Sequence, residues 1–236
     1  MNRIVEPDGI THIDPRVDLF FGNQADYEYF IAKATATLIQ SGIQNVDYAK
    51  AVAHSILAMY DGRHRRYHNY LHINTMFKYA DEYFPNKGGN GNTLEPSERL
   101  AILFHDIVYI PHQQHNEERS VDMMIAFMAG HGTPLTDYSW SSRCIYATGR
   151  HLETVEDDST YAVLDLDLVS LAEEWDAFWL DSLLLEEELG ITRNQHENFF
   201  RKLLEKPKIY YRLEMLEKKA RQNLQCYLEH YDEQDL

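Results

Sequence analysis

Cysteine is scarce. Cys144 and Cys226 are the two in 236 residues, and no motif pairs them. This argues against a disulfide scaffold and a cysteine-rich zinc site, and it fits a reducing compartment. Positive charge is the second shortage: 22 Lys and Arg stand against 38 Asp and Glu, a formal net charge of −16. A surface this acidic repels phosphate backbones, so neither general nucleic-acid binding nor binding to an anionic membrane is expected, although a local basic pocket is compatible with it. Long apolar runs are also missing. Stretches such as Ala101 to Phe104 are short and interrupted by polar residues, which argues against a transmembrane helix. The first 18 residues lack the basic start and apolar middle of a signal peptide. With Pro7, Gly9 and Pro15 they read as an irregular arm over residues 1–20, ahead of a single domain over 21–236, and the expected location is cytoplasmic.

What the sequence does have is a series of helix patterns punctuated by Gly, Pro and Asn, with no repeat period. Asn23 is placed to cap a helix running to about Ser41, with Gly42 as its stop. A second pattern runs from about Val46 to Tyr60, and a third from near Arg66 to before Pro85. The stretch 85–95 is the clearest loop. Pro96 and Ser97 open a fourth helix, expected to reach Ile110 and close at Pro111. Its Leu100, Leu103, Phe104, Ile107 and Val108 repeat at helical spacing as a buried stripe. Further patterns cover about Asn116 to Ala129 and Tyr138 to His151. A C-terminal helix over Tyr210 to Tyr231 carries Leu213, Leu216, Leu224 and Leu228, and is expected to pack on the core. The segment Tyr161 to Val169 alternates Leu with Asp and reads as either strand or helix; its helical surroundings favour helix. The expected fold class is all-α, a compact single-domain helical bundle.

Four places put polar residues where the local pattern calls for apolar ones. His68 and His72 lie four residues apart, which on a helix places them on one face with a rise of about 6 Å. That suits two ligands of one site, or one ligand beside a general acid, and equally two satisfied helix histidines. His105 and Asp106 sit inside an apolar run, with no basic residue three or four positions from Asp106. A buried carboxylate there is costly unless paired, and a divalent cation would neutralise it while using the adjacent imidazole. Asp165 and Asp167 point about 200° apart on a helix but to one side on a strand, so on a helix one of them has a different role. Finally, Arg150 and His151 end a helix pattern, where they suit a phosphate, a second metal or the helix dipole.

The ordered set of His72, His105-Asp106 and a distal Asp resembles the HD superfamily of metal-dependent phosphohydrolases. The closest resemblance is to a small bacterial branch of that superfamily, with distant similarity to class I cyclic nucleotide phosphodiesterases. Besides these residues, the family-like stretches are Tyr67-His68-Asn69 with Leu71-His72-Ile73, Phe104-His105-Asp106 with Val108-Tyr109, and Asn116-Glu117-Glu118 with Ser120. Ala147-Thr148 with His151, Asp165-Leu166-Asp167-Leu168, Lys208-Ile209-Tyr210 and the run from Glu217 to Leu224 follow. The similarity therefore spans roughly Tyr60 to Leu224.

The resemblance implies an HD-type helical fold with His72, His105, Asp106 and a distal Asp as metal ligands. Asp167 is preferred as the distal ligand, although Asp165 also fits. It implies His68 as general acid, with Asp106 bridging if two metals bind. Glu117 joins His68 and Asp106 as a candidate catalytic residue, and with His115, Glu118 and His151 it could complete a second metal site or act on substrate. Arg63, Arg65 and Arg66 form a basic cluster before His68 that suits a phosphate or a solvated turn; Arg63, Arg66 and His151 are the expected substrate contacts.

The implied cofactor is one or two divalent ions among Mn²⁺, Mg²⁺, Fe²⁺, Co²⁺, Ni²⁺ and Zn²⁺, which mixed nitrogen and oxygen ligands do not distinguish. The expected activity is hydrolysis of a phosphate ester or anhydride, in a nucleotide or related small molecule, by metal-activated water. The alternative is a catalytically silent domain that keeps the metal and acts as a nucleotide sensor or interaction module.

Overall fold

The computed structural model describes residues 22–62, 64–85, 93–129, 138–153 and 160–229, with the backbone of 4–5 and 11–12. Capping chemistry sets the first helices. The Asn23 side chain accepts the N–H groups of Ala25 and Asp26, while Asp26 accepts the Asn23 N–H, a reciprocal box that starts α1 (Gln24–Gln40). Gly42, at φ 111°, ends it in a conformation that other residues rarely adopt. Asn45 caps α2 (Val46–Tyr60) through the Tyr48 N–H. Both helices have the bounds expected from sequence.

The next two helices differ from expectation, and both differences set where His68 and Asp106 lie. α3 (Tyr70–Tyr83) begins at Tyr70 rather than near Arg66, because Asn69 is extended and its side chain accepts the Leu71 N–H. α4 (Pro96–Phe104) ends at Phe104 rather than Ile110. A continued helix would leave the Ile107 carbonyl without a donor, since Pro111 has no N–H. Instead the chain tightens after Phe104, and the Arg65 guanidinium takes the carbonyls of Asp106 and Ile107 at 2.7 and 2.8 Å.

Beyond these come α5 (Asn116–Ala129), α6 (Ser139–Thr148) and α7 (Tyr161–Asp167), the last followed by a 3-10 turn over Val169–Ala172. The segment that reads as strand or helix is therefore helical. α8 (Trp175–Leu189) closes at Gly190 in the left-handed region, and α9 (Arg193–Glu205) opens with a Thr192–Gln195 capping box. The C-terminal helix, α10 (Glu217–Glu229), starts later than Tyr210, after a 3-10 turn over Glu214–Leu216. The N-terminal arm is not wholly irregular: β1 (Ile4–Val5) and β2 (Thr11–His12) pair antiparallel, with Ile4 opposite His12 and Val5 opposite Thr11.

The fold is an all-α bundle. α1 packs on α2, α3 and α4; α4 packs on α6; and α10 packs on α9 and the 3-10 turn after α7. Phe30, Tyr60, Phe77 and Phe104 are fully buried in the first half, and Phe178, Phe200 and Tyr227 join in the second. The Phe200 and Tyr227 rings meet edge to face at 4.8 Å between centroids. Burial of each such side chain stabilises the fold by about 1.5–3 kcal/mol. Leu100, Leu103, Phe104 and Ile107 form the expected buried stripe, with Val108 half-buried. Leu213, Leu216 and Leu224 face the core, as expected of the C-terminal segment. Among the described residues no helix is long and apolar enough to cross a membrane.

Candidate metal centre

Three segments deliver four side chains to one point. His72 lies in the first turn of α3, His105 and Asp106 follow the last turn of α4, and Asp167 ends α7. One ligand atom from each lies within 4.8 Å of all the others. His72 Nε2 is 3.4 Å from His105 Nε2 and 3.0 Å from Asp167 Oδ1. His105 Nε2 is 3.3 Å from the same Asp167 oxygen and 3.1 Å from Asp106 Oδ2. His72 and His105 are both buried. Donors bonded to a common ion at about 2.1 Å lie about 3.0 to 3.4 Å apart at octahedral or tetrahedral angles, so these separations and this two-nitrogen, two-oxygen set fit a divalent cation.

The surroundings orient the ligands. His105 Nδ1–H donates to the Ile102 carbonyl at 3.0 Å, which turns the Nε2 lone pair toward the cluster. Burial alone would lower the basicity of His105, but the facing charges of Asp106 and Asp167 override it and hold its pKa well above the usual imidazole range. Asp106 and Asp167 are correspondingly held below the usual carboxylate range: burial opposes this, and the His105 charge and hydrogen bonds outweigh burial. A cation at the centre would satisfy the same carboxylates.

Asp165 and Asp167 divide as helix geometry requires. Asp167 enters the cluster, while the Asp165 carboxylate accepts backbone N–H groups of Tyr211, Arg212 and Leu213. Burial pushes the Asp165 carboxyl up to about 6, against the pull of those donors. It anchors the chain ahead of α10.

His68 does not share a helix face with His72. It lies before the Asn69 cap, in a bend, and stacks on Tyr109 with centroids 3.8 Å apart. Its Nδ1 donates to Glu188 Oε1 at 2.9 Å, leaving Nε2 toward Asp106, 4.0 Å from Oδ2. The same Glu188 carboxylate accepts the Tyr67 and His68 N–H groups at 2.6 and 3.1 Å. Burial favours the neutral acid, but the His68 contact and these amides together keep Glu188 below the usual range. Glu188 was not singled out by sequence reasoning. It sits far along the chain in a helix rich in carboxylates, and nothing local distinguishes it from Glu186 or Glu187.

The remaining candidates spread around this centre. His151 Nε2 lies 2.8 Å from Asp167 Oδ2, whereas His72 meets the other oxygen, Oδ1. Glu117, in the first turn of α5, is half-buried against Gly149, where an added Cβ would approach its Oε1 to 2.7 Å; it is outside the converging group. His115 and Glu118 form an exposed pair at 2.9 Å, with His115 in the left-handed region. Arg66 pairs with Glu187 at 3.2 Å. Arg63 lies outside the described residues. Arg65 is not a solvated turn residue: it is buried, and its guanidinium bonds the carbonyls of His68, Asp106 and Ile107. It therefore ties the His68 bend to the Asp106 loop.

A cavity of about 320 Å³ adjoins the cluster; His68, Tyr109, His151 and Asp167 form part of its lining, with α8 and α9 opposite. No protein-family model matches the chain, and no curated protein or solved structure matches it.

Proposed function

We propose that this chain is a metal-dependent phosphohydrolase of the HD-superfamily type, acting on a phosphate ester or anhydride of a nucleotide or related small molecule. The observation that carries the reading is the convergence of His72, His105, Asp106 and Asp167, with His68 poised beside them. A divalent cation held by these four would polarise a phosphoryl oxygen and lower the pKa of the attacking water.

The chain's own groups account for the rest. In the hydrolysis, the water oxygen bonds phosphorus and the ester P–O bond breaks. His68 gives the Nε2 proton to the departing oxygen and recovers the proton that water releases. Glu188, held by two backbone amides and by Nδ1–H, sets the orientation of the imidazole and stabilises it when doubly protonated. His151 and Tyr109 line the adjoining cavity and are placed to contact substrate. Arg65 and the Ile102 carbonyl act indirectly, by holding the His68 bend, the Asp106 loop and the His105 ring.

The test is direct. Purified protein supplied with Mn²⁺ or Ni²⁺ should retain metal and hydrolyse chromogenic phosphoesters, and a chelator should abolish turnover. Metal retained without turnover of any phosphoester would identify a silent binding module instead. Turnover that survives in the His105→Ala, Asp106→Ala double variant would overturn the assignment.

A further inference from the structure

The cavity beside the cluster has a chemical character of its own. The wall opposite the metal ligands is built by α8 and α9, and is mainly apolar: Phe178, Leu185, Leu189, Ile191, Phe199 and Phe200. Among the described residues no Lys or Arg lines it. A second phosphate or carboxylate on the substrate would find no cationic partner there, and it would face Asp181 in a chain of net charge −16.

Asp181, Ser182 and His196 interrupt this apolar wall; the Ser182 hydroxyl is satisfied by the Phe178 carbonyl, and the other two have bonding capacity to spare. His196 is 2% exposed and its Nδ1–H donates to Glu186 at 2.9 Å, which leaves Nε2 as a buried acceptor with no partner among the described residues. Asp181 lines the same cavity, and among the described residues no hydrogen bond or ion pair engages it. A buried polar atom without a partner is costly, and a bound molecule that supplies a donor to His196 Nε2 would recover that cost. Pockets of this size, apolar with a few convergent polar groups, suit a small organic ligand.

We infer that the α8–α9 cavity takes the organic part of the substrate, and that this part is an uncharged ring system carrying a hydrogen-bond donor, an aryl or heterocyclic group rather than a sugar phosphate or a polyphosphate tail. The inference rests on the phosphohydrolase reading of the adjoining cluster and narrows its substrate class. Asp181 and His196 are the specificity-determining residues, and the aromatic wall supplies the binding surface.

The experiment has two arms. In the first, the metal-supplied protein is assayed with 1-naphthyl phosphate, glycerol 2-phosphate and ATP. The expected kcat/KM is at least about 10-fold higher for the naphthyl ester, the scale on which apolar pockets discriminate. In the second, binding of 1-naphthol to the metal-free protein is measured by calorimetry, with no turnover involved. Leu185→Trp, which fills the cavity, should weaken naphthol binding about 10-fold and lower the naphthyl-to-glycerol ratio by about the same factor relative to wild type. Ile191→Trp, in the α8–α9 turn, serves the same purpose if Leu185→Trp does not fold. Equal turnover of naphthyl and glycerol esters by the wild type, or naphthol binding unchanged in a folded cavity-filled variant, overturns the inference and leaves the hydrolase reading intact. Absence of turnover on every ester, with naphthol still bound and displaced by Leu185→Trp, overturns the hydrolase reading instead.

Discussion

The His/Asp cluster and the α8–α9 cavity adjoin, yet they treat polar groups in opposite ways. In the cluster, His72, His105, Asp106 and Asp167 face one another, and His105 and His68 each have the second ring nitrogen held by a partner. In the cavity, no partner among the described residues engages Asp181 or His196 Nε2, and aromatic and aliphatic side chains surround them. Mutual satisfaction fixes geometry, as a centre for chemistry requires. Spare bonding capacity in an apolar wall suits a site that must accept and release a molecule. In the proposed reading, the contrast separates the part of the site that would react from the part that would select.

The largest expected effect is in the cluster. Asp167→Ala removes the carboxylate shared by His72, His105 and His151, and should abolish bound metal, read by elemental analysis, together with turnover. His68→Ala should keep the metal and lose kcat by about 10²–10⁴-fold, the usual range for a general acid. Loss of metal in that variant would make His68 part of the cation site and blur the comparison. Glu188→Gln retains shape but weakens the hold on His68, and should lower kcat by about 10–100-fold with KM little changed.

The smallest effect sharpens the other side. Burial, aided by the charge of Glu173, pushes the Asp181 carboxyl up to about 7. An acid whose pKa is higher in the folded state binds its proton more tightly there, so its contribution is fully present below about pH 4 and declines as pH rises through 7. Asp181→Asn should therefore match the wild type near pH 4 and be more stable at pH 8, by at most a few kcal/mol. Thermal unfolding of both proteins at the two pH values checks this. A variant less stable at pH 8 would show that the Asp181 carboxylate has a partner the cavity does not reveal.

How much of this was legible in the sequence differs by residue. Caps and periodicity are local, so Asn23, the pattern from Val46 to Tyr60 and the α4 stripe announced their helices. The helix reading of 161–169 separated Asp165 from Asp167 through backbone geometry, and the structure assigns them to different partners on that basis. The choice of Asp167 came from resemblance. The bend holding His68 was missed, because the Asn69 cap competes with an otherwise helical pattern from Arg66. The early end of α4 was missed for a related reason: the apolar run continues to Ile110, and the distant Arg65 decides where the carbonyls go. The same residue, read as part of a basic cluster open to phosphate, is buried among carbonyls instead.

By itself the sequence determined the all-α class, most helix starts and the types of side chain able to gather a cation, because propensity, capping and period act over a few residues. Only the tertiary structure decided that His72, His105, Asp106 and Asp167 converge, that Glu188 holds His68, and that Asp181 and His196 look into an apolar cavity. Those relations join positions tens of residues apart, and packing alone brings such positions within hydrogen-bonding distance.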